Sequence, residues 1–148
     1  GSKTTILARR SCDDVKLWPE EMFSRVYCFV TFCRWTSGML HVANQLHGYY
    51  SNIDIITPDI CAGYGREIGL DQPENEWASV GALALAHFIK THKKIYICGF
   101  DHLKKDENGK ASHYFHKPPK DDRFHSESKE RAFTETLIKG GFIERIDL

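Results

Sequence analysis

Residues 78–101 read ASVGALALAHFIKTHKKIYICGFD, and this stretch decides the fold class. Apolar side chains dominate its first part on almost every side, which predicts a helix over 78–92 that is buried on more than one face. KKIYICGFD (93–101) is short and rich in β-branched and aromatic residues, and it predicts a strand that ends in Gly and Asp. A buried helix that leads directly into a strand is typical of α/β proteins.

The rest of the chain alternates between the same two kinds of element. Strands are predicted at 4–9, 25–32, 53–57 and 142–148, helices at 18–23, 37–48 and 126–141, and a loop at 58–75. This order predicts an α/β fold with a mostly parallel sheet and helices on both faces. Because ligands of such sheets bind beyond the carboxyl ends of the strands, we expect function after Thr57, before the helix at 79–92, and after Asp101.

Composition indicates one globular domain over residues 1–148, with Gly1 and Ser2 as a cloning remnant. The chain has 20 basic and 20 acidic residues, so a formal net charge of zero gives no overall attraction to nucleic acid or membranes. No apolar run is long enough to span a membrane. The five cysteines form no CxxC pair, which favours a reducing compartment, the cytoplasm. Cys28, Cys33 and Cys98 lie in apolar contexts and are predicted core residues.

Two short segments beside the central strand have both a functional and a structural interpretation. ASVG (78–81) places Ser79 and Gly81 at a predicted helix start, where exposed N–H groups can bind a nucleotide phosphate or ribose. The alternative is an ordinary helix cap by Ser79, with Gly81 allowing close packing. Asp101 follows the strand where α/β proteins bind cofactors, or it closes a turn.

A histidine-rich stretch, HYFHKPPKDDRFHSESKE (113–130), carries most of the titratable groups near the carboxyl end. His125 precedes a predicted helix, whose N-terminus favours the neutral imidazole and hence a general base. His113 and Tyr114 can donate hydrogen bonds to a phosphate. Glu130 can satisfy backbone or orient a partner. The alternatives are a zinc site formed by His113, His116, His125 and a carboxylate, and a solvated loop.

Three of these segments together resemble the motifs of the sialyltransferases. Residues 78–101 are similar to the family's small motif, a Ser-Thr-Gly segment, a helix and a strand ending in Gly-Phe-Gly or Gly-Phe-Asp. HYFH (113–116) is similar to its third motif, and HSESKE (125–130) matches its last motif, His, four residues, then Glu. The motifs occur in the family's order, and the similarity covers about half the chain.

The resemblance implies an inverting transfer of sialic acid or a related sugar from a CMP-activated donor to a glycan hydroxyl, without metal or other cofactor. His125 would be the general base, and His113 would stabilise the departing phosphate. Glu130 would orient the last motif. The remaining nucleotide contacts would come from Ser79, Gly81, Asp101 and Tyr114. A Rossmann-like sheet is implied, with the CMP-sugar and a glycan as partners and, for a full-length eukaryotic enzyme, the Golgi lumen as compartment.

The chain also departs from the family's pattern. The large motif, a Gly-Asn-Gly-Pro-Ser loop followed by Arg-Phe-Asn, is absent, Val80 stands where a hydroxyl residue is common, and no cysteine precedes ASVG. We therefore expect a sialyltransferase-like enzyme without the first strand and loop, either as the C-terminal part of a catalytic domain or as a homologue that lost the first motif, and the resemblance does not imply that the isolated chain is active. The alternatives are a non-catalytic nucleotide- or glycan-binding remnant and a metal-dependent hydrolase that uses the histidines. An open sheet edge also predicts a homo-oligomer.

Overall fold

The computed structural model describes residues 6–10, 23–31, 36–71, 76–98 and 126–146. Within them the chain is of the α/β class, with small parallel sheets and helices. It forms two compact units, Gly1–Tyr64 and Gly65–Leu148. The prediction of one domain over 1–148 remains a prediction.

The first unit contains a three-stranded parallel sheet and a helix. Its elements are β1 (Ile6–Arg10), β2 (Arg25–Phe29), α1 (Thr36–Tyr49) and β3 (Ile53–Ile56). The strands lie in the order β1-β2-β3, with Ile6 opposite Arg25 and Val26 opposite Ile53. These elements confirm the strands predicted at 4–9, 25–32 and 53–57 and the helix predicted at 37–48, each with ends that differ by a few residues.

The core of this unit lies between β2 and α1. Side chains on one face of β2 meet the side of α1 that repeats every three or four residues. The buried members of this core are Val26, Cys28, Val30, Met39, Val42, Ala43, Leu46 and Tyr50. Phe29 is also completely buried, so consecutive residues 28–30 are covered on both sides of the strand. This confirms the prediction of a buried strand and of Cys28 as a core residue.

Helix α2 (Pro58–Ile68) occupies the first part of the segment 58–75, which was predicted to be a loop. Pro58 occupies the first helical position, where its missing N–H costs nothing, and the Cys61 amide donates to the Thr57 carbonyl at 2.9 Å. Cys61, Tyr64 and Ile68 are buried at helical spacing. The loop prediction was wrong over 58–68 because Gly63 and Gly65 lower intrinsic helix propensity, whereas burial of this apolar stripe offsets that loss.

The second unit pairs two strands with two helices. Its elements are α3 (Val80–Phe88), β4 (Ile95–Ile97), α4 (Glu127–Lys139) and β5 (Ile143–Arg145). The strands are parallel, with Ile95 opposite Ile143. Leu85, Ile97, Leu137 and Ile143 form the buried core between the helices and the sheet. The helices predicted at 78–92 and 126–141 and the strands predicted at 93–101 and 142–148 are confirmed in shorter form.

The end of α4 follows the predicted stop signal. The Gly140 amide donates to the Thr136 carbonyl, and Gly141 adopts a left-handed conformation with φ of 76°. The Phe142 amide then donates to the Leu137 carbonyl at 3.0 Å, which closes the turn into β5. After this tight turn, β5 runs back along α4. Because β4 and β5 are parallel, the start of α4 lies toward the end of the sheet where β4 finishes.

The predictions that Cys98 and Cys33 are core residues have different outcomes. Cys98, predicted to be a core residue, is exposed, because it lies just beyond the last residue of β4 and on the opposite face from Ile97. Cys33 lies outside the described residues, as does most of the helix predicted at 18–23. Among the described helices, none is both long enough and apolar enough to cross a membrane.

Candidate functional site

Ser79, the residue before α3, caps this helix through a local hydrogen bond. Ser79 has an extended backbone, with φ of −61° and ψ of 157°, and its Oγ accepts a hydrogen bond from the Ala82 amide at 3.2 Å. The Leu83 amide donates to the Ser79 carbonyl at 3.0 Å and closes the first turn. The capping interpretation of Ser79 is therefore confirmed, and the helix starts where the ASVG pattern predicts.

A buried carboxylate from α4 holds this cap from the other side. Glu130 is 1% exposed, and its carboxylate accepts two hydrogen bonds from Ser79. One comes from the Ser79 amide to Oε1 at 2.6 Å, and the other from the Ser79 hydroxyl to Oε2 at 2.7 Å. Such a paired, charge-assisted contact stabilises a carboxylate that would otherwise be costly to bury. The first turns of α3 and α4 are consequently fixed side by side.

The Ser79 hydroxyl is fully engaged as a donor in this arrangement. Its single proton goes to Glu130, and one of its lone pairs accepts from the Ala82 amide. A ligand at this place could bind the Ser79 hydroxyl only by donating a hydrogen bond to it. The expected nucleotide contact through Ser79 is therefore restricted to acceptance of a hydrogen bond, for example from a ribose hydroxyl.

The next two backbone amides differ from the Ser79 hydroxyl because they are still able to donate hydrogen bonds. Val80 and Gly81 occupy the first and second helical positions, whose N–H groups have no carbonyl partner inside the helix. Within the described ranges, no residue accepts a hydrogen bond from either amide. Together with the positive end of the helix dipole, they can bind an anion such as a phosphate.

Charged side chains surround the start of α4. Lys129 Nζ lies 2.9 Å from Asp71 Oδ2 and 2.9 Å from Glu76 Oε2, and it is partly covered. These hydrogen bonds, to Asp71 first and then to Glu76, raise the pKa of Lys129 because they stabilise its ammonium form. Arg131 pairs with Glu127 one turn away at 2.5 Å. Lys129 and Glu130 thus connect α4 to two successive parts of the segment that leads into α3.

The structure brings together two of the predicted site residues, Ser79 and Glu130, and Gly81 lies two residues further along the same helix start. The other four lie outside the described residues, together with His116 of the zinc alternative. They are Asp101, His113, Tyr114 and His125. Their roles remain predictions. His125 is nevertheless joined by sequence to Ser126, the residue before the first turn of α4.

Local sequence patterns do not single out Lys129, Asp71 or Glu76. Lys129 lies 58 positions beyond Asp71 and 53 positions beyond Glu76, so no local spacing predicts these contacts. A weak signal did exist, because Lys129 stands beside Glu130 inside the segment that resembles the last motif. Such neighbours share the helix turn of a predicted site residue.

No metal-binding group of three or more His, Cys, Asp or Glu side chains occurs among the residues that the structure describes. No protein-family model matches the chain, and no curated protein or solved structure is significantly similar to it. Function is therefore inferred from the motifs and from the contacts of Ser79 and Glu130.

Proposed function

We propose that the chain is a sialyltransferase-like glycosyltransferase that takes sialic acid or a related sugar from a CMP-activated donor to a glycan hydroxyl, with inversion and without a metal. The proposal includes a Rossmann-like arrangement of the parallel strands. The bond between Ser79 and Glu130 is the observation that carries it, because it joins the segment similar to the small motif with the segment similar to the last motif. Parallel pairing in both sheets also supports it.

The chemistry of this reaction suits the residues near α3 and α4. The donor's phosphate becomes a leaving group whose negative charge needs hydrogen-bond donors, and the amides of Val80 and Gly81 are suited to that task. The acceptor hydroxyl needs one base, the role proposed for His125. Positioned reactants and stabilised charge supply most of the acceleration in such transfers. Glu130 acts in this proposal as a positioning residue, since it fixes the helix start and binds no ligand.

The first test is a calorimetric titration of the chain with CMP, with UMP as the comparison and EDTA present. We expect CMP to bind and UMP to bind more weakly, because the proposed site is selective for the donor's base. Absence of CMP binding would contradict the donor site. CMP binding without turnover of CMP-sialic acid would instead favour the non-catalytic remnant, which the missing large motif suggests.

A single substitution can remove one of the proposed phosphate donors. Val80→Pro deletes the Val80 N–H, and proline is well tolerated at the first helical position. Ser79 already has the extended backbone that a residue before proline prefers. We expect CMP affinity to fall about tenfold, the effect of one lost hydrogen bond to a charged group, with little change in stability. Val80→Ala keeps the N–H and is the matched control, and equal CMP affinity in the two variants would reject this contact.

The catalytic roles need a turnover assay with CMP-sialic acid and an active form of the protein. Substitution of His125 by Ala should reduce kcat by about 100-fold or more, because the general base is lost. Replacement of His113 should reduce kcat through weaker stabilisation of the leaving phosphate. Transfer rates that stay unchanged in both variants would show that these assignments are incorrect.

A further inference from the structure

The outer face of the β4–β5 sheet, which consists of Lys94, Tyr96, Phe142, Glu144 and Ile146, carries exposed apolar side chains. Side chains alternate along a strand, so these residues point away from the core that Ile97 and Ile143 form with the helices. Tyr96 is 58% exposed, Phe142 49% and Ile146 46%. Among the described residues, half of the exposed large hydrophobic side chains therefore lie on this one small face.

Backbone pairing extends one residue beyond each end of β5 and holds the outer face in place. The Ile95 amide donates to the Phe142 carbonyl at 2.9 Å, and the Ile146 amide donates to the Ile97 carbonyl at 2.8 Å. Residues 142–146 therefore run alongside β4 over their whole length. Because both faces of parallel sheets are usually covered, an exposed face of this kind indicates a binding surface.

An ion pair lies in the middle of the outer face. Lys94 Nζ donates to the Glu144 carboxylate and lies 5.3 Å from the centre of the Tyr96 ring. The hydrogen bond to Glu144 raises the pKa of Lys94, so the ammonium form is favoured. The outer face thus combines one charge of each sign with roughly 300 Å² of exposed apolar side chain.

We propose that the outer face is the contact surface of a homodimer, in which a second copy of the chain packs on it around a twofold axis parallel to the strands. Such an interface uses the same surface of both copies and must complement itself. This axis places β4 of one copy on β5 of the other. Tyr96 then meets Glu144 of the second copy, and Lys94 meets Phe142 of the second copy. A phenol donates to a carboxylate, and an ammonium binds the face of an aromatic ring.

Charge and area both favour a second copy as the occupant. A face with one charge of each sign complements itself, whereas nucleic acid or an anionic membrane requires an excess of positive charge. A twofold axis across the strands would instead bring the two copies of Glu144 together, where like charges repel. The apolar area is below the roughly 800 Å² per partner of a standard interface, so we expect a weak dimer with a Kd on the order of 100 μM. This contact uses side chains, unlike the pairing of backbone at an open sheet edge.

The test is sedimentation equilibrium at low salt, from about 10 μM to about 1 mM protein, which covers the affinities of small interfaces. The variants Lys94→Glu and Glu144→Lys each give the outer face two like charges, and the twofold axis repeats that repulsion. Each variant should dimerise at least about tenfold more weakly than the unaltered chain. An equimolar mixture of the two should form a heterodimer with an affinity close to that of the unaltered dimer, because opposite charges then face each other.

A second pair of variants tests the apolar part of the outer face. Ile146→Thr should weaken dimerisation about fivefold, because each copy then buries less apolar surface. Ile60→Thr is the matched control, since Ile60 lies on α2 and is 45% exposed, and it should leave dimerisation unchanged. If a charge variant fails to fold, which urea unfolding reveals, the comparison of these two variants decides the question.

Three results would overturn the inference. One is an unaltered chain that stays monomeric up to about 1 mM. Another is a dimer that neither the charge variants nor Ile146→Thr weakens, since that dimer uses a different surface. The third is failure of the two folded charge variants to associate when mixed.

Discussion

At the scale of single residues, the contact between Ser79 and Glu130 is the main determinant of the candidate site. It uses both oxygens of one buried carboxylate and both donors of one serine. An orienting role for Glu130, which the resemblance implies, requires a contact of this kind. Glu130 fixes the residue that caps α3, and its part in a reaction stays a prediction.

Substitution of Ser79 by Ala tests the strength of this contact. The change removes the cap on Ala82 and one hydrogen bond to a buried carboxylate, so the free energy of unfolding should fall by about 2 to 3 kcal/mol. Urea unfolding measures it. Ser128→Ala, at an exposed position of α4, is the matched control and should change stability by less than about 0.5 kcal/mol. A loss at Ser79 no larger than that of the control would mean that the contact contributes nothing.

Local rules predicted one half of this contact and not the other. Ser79 was recognised as a possible cap because a cap involves neighbours in sequence. Its partner Glu130 is far along the chain, so only the family resemblance gave that residue a role, and nothing indicated that the two side chains meet. The same limit explains Cys98, because apolar neighbours in sequence do not specify which face of a strand a side chain occupies.

At the scale of elements, hydrophobic spacing predicted α1, α3, α4 and most of the strands. Each of these has an apolar pattern that matches its period, and burial then stabilises it. Helix α2 was missed because two internal glycines and a leading proline give the composition of a loop, although its buried residues keep helical spacing. In such segments tertiary packing determines whether a helix forms, and amino-acid composition alone gives the wrong prediction.

The turn after α4 gives a prediction at this scale. Gly141 has φ of 76°, a conformation that a residue with a Cβ adopts at a cost, so Gly141→Ala should lower the free energy of unfolding by about 1 kcal/mol. The same change at Gly48, in the exposed last turn of α1, meets no neighbouring atom and should raise stability by about 0.5 kcal/mol. Thermal or urea unfolding distinguishes the two signs. Stabilisation by Gly141→Ala would contradict the assigned turn.

At the scale of the whole molecule, alternation of strands and helices was sufficient to predict the α/β class and parallel pairing. It was not sufficient to predict two compact units, because a pattern of elements does not specify which of them pack together. The homo-oligomer expected from an open sheet edge also stays a prediction, since pairing between copies depends on surfaces that local spacing does not encode.

The two contacts that hold the start of α3, the cap bond and the bond to Glu130, also become available at different times while the chain is synthesised. The bond from Ala82 to Ser79 joins residues three positions apart, whereas Glu130 lies 51 positions beyond Ser79. At roughly 5–20 residues per second, the ribosome needs about 3 to 10 seconds to add that stretch. For seconds, therefore, a nascent chain contains the capping serine but lacks the carboxylate that fixes it, and the start of α3 is completed only when α4 folds against it.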